Sequence, residues 1–72
     1  MRPTVLIVDD HPAFRESASA LLEAEGFAVI GAAADGAEAI AAVERLRPQV
    51  VLLDIQLPDL DGFAVAERLA AG

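Results

Sequence analysis

Hydrophobic and polar positions along this chain switch between two periods. Thr4–Val8 is an unbroken run of β-branched and apolar residues, as expected of a strand buried on both faces. Pro12 then opens a helical pattern, where its missing N–H costs little because first-turn donors have no intrahelical partner. Phe14, Ala18, Leu21 and Leu22 recur at helical spacing and predict an inward face; the stripe ends where Glu25 falls, and Gly26 supplies the stop. Residues 27–33 predict a second strand, weakened by Gly31 and its alanines. Asp35 is placed as an N-cap, and Glu38 three residues later makes an acidic version of the capping box. Ala39, Ile40, Val43 and Leu46 trace the helix that follows, and Pro48 stops it. Val50–Leu53 predicts a third buried strand and residues 55–61 a loop carrying Pro58. Gly62–Ala71 predicts a third helix with Val65, Ala66 and Leu69 inward.

Strand–helix alternation with such short connections implies an α/β fold: parallel strands, right-handed crossovers and helices on both faces. In open sheets of this kind the working site lies beyond the carboxyl ends of the strands. That rule selects Asp9 and Asp10, which directly follow the first strand, and Asp54, which directly follows the third. If those strands are neighbours, three carboxylates converge. Two ionised carboxylates about 4 Å apart repel by roughly 4 kcal/mol at an effective dielectric near 20. Such a cluster calls for a shared proton or a cation, and oxygen ligands without thiolate suit Mg²⁺ better than Ca²⁺. The competing reading is that these acids merely end strands and cap helices.

His11 is read as the start of the first helix rather than as a ligand. Asp59 and Asp61 are read as solvating the loop and capping the third helix. Arg45, Arg47 and Arg68 are read as solvated groups that complement helix dipoles.

Composition sets the scale. Seventy-two residues allow one small domain, which buries only about 60% of the surface its unfolded chain exposes. Apolar residues make up 56%, but sixteen of them are alanine, leaving twenty-four large ones for the core. With no cysteine, a disulfide scaffold and a thiolate zinc site are excluded. The longest apolar run, residues 27–34, is too short to span a bilayer, and the N-terminus lacks the features of a signal peptide, so a cytoplasmic location is expected. A net charge of −7 with no lysine disfavours nucleic acid and anionic lipid as direct partners.

The runs VLIVDDHPAFR and VVLLDIQLPDLDG together resemble the receiver domain of two-component response regulators. Within that family, D-D-H-P and D-x-x-x-P-x-x-x-G are similar to the NarL/LuxR-like branch, whose members join a receiver to a helix-turn-helix DNA-binding domain. The resemblance implies a flavodoxin-like parallel sheet, truncated here to three strands in the order 2-1-3 and three helices. Residues 1–72 would then be a partial receiver, its first three βα units. It implies that Asp54 is the phosphoacceptor, taking a phosphoryl group from a histidine kinase or a small phosphodonor. It implies Mg²⁺ held by Asp10, Asp54 and the backbone carbonyl of Gln56, with Asp9 acting largely through water, and a loop shaped by Pro58 and Gly62.

The family's Ser or Thr ending a fourth strand and Lys ending a fifth have no counterpart in these residues, and Ser17 stands where the branch often has Gly. DNA would be reached only through a domain absent from this chain, no membrane partner is expected, and the uncovered third strand is expected to promote self-association. The chain is expected not to be an enzyme. Two alternatives stay open: a phosphorylation-independent interaction or dimerisation module, and an aspartyl-nucleophile phosphohydrolase, whose D-x-D spacing Asp9-Asp10-His11 does not meet.

Overall fold

In the computed structural model, which describes residues 1–54, 57–59 and 62–71, the most apolar run of the chain forms the centre of the sheet. β1 (Thr4–Val8) lies between β2 (Ala28–Ala33) and β3 (Val50–Leu53), all parallel, in the order β2-β1-β3. Val5 to Val8 are almost fully buried, because strands flank them and helices cover both faces. The helices are α1 (Pro12–Ala24), α2 (Gly36–Leu46) and α3 (Gly62–Ala71). Alternation of side chains along β1 divides the core in two. Leu6 and Val8 point into a cluster with Ala33, Ala39, Ala42 and Val65, under α2 and α3. Val5 and Ile7 point the other way, onto Ala18, Leu22 and Phe27.

The ends of the helices follow local chemistry. At the end of α1, Gly26 takes φ +96° and donates its N–H to the Glu23 carbonyl, while Phe27 donates to that of Leu22. This is a Schellman closure, with Phe27 and Leu22 on the same apolar cluster as its accompanying contact. At the start of α2 the Asp35 carboxylate accepts from the Glu38 N–H at 2.8 Å, as expected for the N-cap. Glu38 returns its own carboxylate to Ala34, at 3.4 Å, rather than to Asp35. Arg47 ends α2 in the left-handed region at φ 52°, a place more often taken by Gly.

Several expectations about faces need correction. Phe14 and Leu21, placed inward by periodicity, are 48% and 63% exposed; of that stripe only Ala18 and Leu22 reach the sheet. A short helix lying over two strands touches them along a narrow line, so the flanks of a wide stripe face outward. Val65 is fully buried and Leu69 packs on the core, but Ala66 is exposed. The second strand begins at Ala28 because Phe27 is used to close α1. β3 is not buried on both faces: Val50 and Leu52 are 42% and 41% exposed, since among the described residues β3 pairs only with β1 and no helix covers that face.

Gly31, read as a weakness of β2, has a positive role. A Cβ there would lie 2.8 Å from Leu46 Cδ1 and 3.2 Å from Leu6 Cδ1, so its absence lets α2 close onto the sheet. The β1–β2 register also shifts here, Val5 facing Val29 and Leu6 facing Gly31.

Candidate functional site

Two backbone hydrogen bonds bring the acids together. The Asp9 N–H donates to the Ala33 carbonyl at 3.0 Å, and the Asp54 N–H donates to the Val8 carbonyl at 2.9 Å. Each continues a strand ladder by one residue past its apolar run, so the carboxylates emerge at the same end of the sheet. Ligand atoms of Asp9, Asp10, His11 and Asp54 lie within 4.8 Å of one another. Asp9 is buried, Asp54 half-buried, and Asp10 and His11 are exposed. Beside them an open cleft of about 280 Å³ is lined by Val8, Asp9, Phe14, Leu52, Leu53 and Asp54. A larger groove of about 440 Å³ runs between α2 and α3, past Arg47 and Arg68, but lies towards the opposite end of the sheet.

The residues before α1 are tied into the cluster. His11 donates its backbone N–H to Asp9 Oδ1 at 2.8 Å, and its Nδ1 lies 2.8 Å from the same oxygen and 3.1 Å from Asp10 Oδ1. Arg15 Nη1 donates to the Asp9 backbone carbonyl at 2.6 Å. Burial pushes the Asp9 carboxyl upward, but hydrogen bonds from the His11 backbone and ring, with the charges of His11 and Arg15, outweigh it and hold the group below its ordinary value. The reciprocal effect holds His11 above its ordinary value, through the hydrogen bond to Asp9 first and then the charges of Asp10, Asp9 and Asp54. His11 does start the helix, but its ring makes no capping bond and turns back onto the acids instead.

The structure therefore assembles Asp9, Asp10 and Asp54 as the sequence suggested, and adds His11 to them. Gln56 and Asp61 lie outside the described residues. Asp59 caps a helix, but a different one: its two carboxylate oxygens accept from the N–H groups of Gly36, at 2.6 Å, and Ala37, at 3.0 Å, at the start of α2. No spacing rule could have found this pairing across more than twenty residues. The Arg15 contact was also missed, although an arginine one helical turn after His11 could have signalled it. Chemically, the arrangement is a half-open set of hard oxygen donors at a strand end, with an exposed imidazole beside it. Three carboxylates at these separations are compatible with a bound cation.

Comparison with known proteins is consistent across sequence and structure. Residues 5–72 match the family described as the response regulator receiver domain. The DNA-binding response regulator MtrA of Mycolicibacterium smegmatis is 47% identical over 73 residues, covering 99% of this chain and 31% of that protein. The crystal structure of a LuxR-family two-component response regulator from Aurantimonas sp. SI85-9A1 superposes with a TM-score of 0.93 at 32% identity, covering 99% of this chain and 51% of that one. CheY in the CheX-CheY-BeF3-Mg+2 complex from Borrelia burgdorferi is similar at a TM-score of 0.90 and 33% identity, over 94% of this chain and 52% of the other. The chain thus spans about a third of the curated relative and half of the solved structures.

Proposed function

The chain belongs to the response regulator receiver family, and from that premise we propose that it is a partial receiver, the first three βα units, with Asp54 as its phosphoacceptor. The observation that carries this reading is the convergence of Asp9, Asp10 and Asp54 at the carboxyl end of the sheet, with Asp54 on the wall of an open cleft. A carboxylate oxygen of Asp54 would attack phosphorus, forming an acyl phosphate. The bond from phosphorus to the donor's nitrogen or oxygen would break, and its electron pair would leave with the donor. The new group would bring up to about two negative charges into an already acidic corner.

The donor set fits a hard divalent cation. Asp10 and Asp54 would hold Mg²⁺ directly, with the backbone carbonyl of Gln56, and Asp9 would act through water. When bound, the ion would neutralise charge on the incoming phosphoryl group. The protein's own part is positioning. Burial and the His11 and Arg15 contacts hold Asp9 in place, and the bond to Val8 fixes the backbone from which Asp54 projects. The similar Borrelia burgdorferi CheY occurs in a complex holding BeF3 and Mg²⁺, which supports this reading. The donor partner would be a histidine kinase. Transcriptional output would run through a DNA-binding region outside this chain, as in MtrA, and in the cytoplasm. One phosphoryl group per chain, without turnover, is expected.

The test is intact-mass measurement after incubation with acetyl phosphate and Mg²⁺, with Asp54→Ala as control. A single phosphoryl adduct on the parent chain, absent from the variant, is expected. An adduct that persists in Asp54→Ala, or none on either chain, would overturn the assignment. A second reading, self-association through β3, is favoured by the exposure of Val50 and Leu52 on a strand that, among the described residues, pairs only with β1.

A further inference from the structure

The first N–H groups of a helix have no intrahelical partner and must be satisfied from elsewhere. At α2 the chain does part of this locally, since Asp35 takes the N–H of Glu38 at 2.8 Å. The N–H groups of Gly36 and Ala37 are taken by Asp59, one per carboxylate oxygen, from the connection between β3 and α3. Paired charge-assisted bonds at the positive end of a helix are among the stronger polar contacts a surface residue can make. A nearby side chain would cap the helix equally well. What a carboxylate from a different connection adds is a tie between α2 and the loop that leaves the candidate phosphoacceptor.

That loop is anchored at three points within six residues. Asp54 is held by its N–H bond to Val8, Leu57 packs against the core cluster beneath α2 and α3, and Asp59 clasps α2. We infer that Asp59 is a positioning residue: its clasp on the start of α2 holds the connection after β3 against that helix and so steadies Asp54, the candidate phosphoacceptor and cation ligand. The inference rests on the reading of Asp54 and its metal proposed above. Without the clasp, the loop keeps its first two anchors but can open at the third. Misplacement of a group near a reacting centre by about an ångström can cost orders of magnitude in rate, so a partial loosening is expected to cost several-fold.

Three variants separate positioning from simple helix capping: Asp59→Ala, Asp59→Asn, and Asp35→Ala, which uncaps the same helix end without touching the loop. The readouts are Mg²⁺ affinity by calorimetric titration, phosphorylation rate with acetyl phosphate at saturating Mg²⁺, metal-free amide exchange at Leu57 and Asp59, and urea stability. Asp59→Ala is expected to weaken Mg²⁺ binding and slow labelling several-fold, with faster exchange in the loop. Asp59→Asn is expected to recover most of this, because its carboxamide oxygen keeps one of the two bonds. Asp35→Ala is expected to lose comparable urea stability while keeping parental affinity, rate and loop exchange. Parental behaviour of Asp59→Ala, or equal losses in Asp35→Ala, would overturn the inference. If the parent chain takes up no phosphoryl group, the reading of Asp54 fails by itself. Loop exchange then still decides the clasp, and equal exchange in parent and Asp59→Ala would overturn it.

Discussion

Asp10 and Asp54 reach the same corner from two different strand ends, which makes each separately testable. Asp54→Asn and Asp10→Asn are each expected to weaken Mg²⁺ by about tenfold or more, given that even outer partners of a metal site are commonly worth 10- to 100-fold. Calorimetric titration checks this, and unchanged affinity in both would remove the metal from this corner. Glu23 offers a test far from the site. It accepts the N–H of Val29 at 2.8 Å and a bond from Arg2 at 2.9 Å. The bond from Val29 first, and then Arg2, hold its carboxyl below the ordinary value. A lowered folded value means that the stabilisation is complete above the ordinary carboxylate value and is lost as pH falls through the folded one. Glu23→Gln is therefore expected to reduce the difference in urea stability between neutral and acidic solution. An unchanged difference would show that the pair contributes nothing. Of the candidate site itself, Asp9, Asp10 and Asp54 were legible because each follows an apolar run. The turn of the His11 ring onto them was not, because a ring's direction depends on neighbours that folding supplies.

At the scale of elements, two glycines do opposite work. Gly26 needs freedom of backbone, with φ +96° and nothing within 4 Å of a would-be Cβ. Gly26→Ala is expected to cost roughly 1–2 kcal/mol, all of it from the left-handed backbone. Gly31 needs room instead, since a Cβ would press on the ends of Leu46 and Leu6. Overpacking of this kind costs about 1–3 kcal/mol, and the flexible tip of Leu46 should keep Gly31→Ala near the lower figure. Urea denaturation measures both, and a neutral Gly31→Ala would mean that the ends of Leu46 and Leu6 shift aside without loss. The position of Gly26 as a stop was readable from the end of the apolar stripe. The need for Gly31 was not, because the atoms it makes room for lie on α2 and β1.

At the scale of the molecule, the face of the sheet that carries α1 is only partly covered. Val50, Leu52, Phe14 and Leu21 are all substantially exposed. β3 pairs with β1 alone among the described residues, and a one-sided strand with apolar residues invites pairing with another chain. Sedimentation is expected to show mass rising with concentration, and more so in salt, which screens the repulsion between chains of net charge −7. Leu52→Glu is expected to suppress it. A single mass for the parent chain at every concentration and salt level would count against association through this face.

Element order, strand direction and the end of the sheet where the acids gather were all present in the order of residues. They depend on local properties: which positions are apolar, with what period, and which residues punctuate them. The six elements among the described residues accordingly fall within a residue of where patterning places them. Strand order came from family likeness, since periodicity cannot say which strands are neighbours. Only the tertiary structure decided the rest: that Phe14 and Leu21 face outward, that β3 is half covered, that Arg15 and His11 support Asp9, and that Asp59 serves α2 instead of α3. The Asp59 clasp and the cover of β3 depend on residues distant in sequence, and the outward turn of Phe14 and Leu21 is a choice among faces of one helix. The His11 and Arg15 contacts lie only two and six residues from Asp9, yet they turn on side-chain direction, which the folded chain settles.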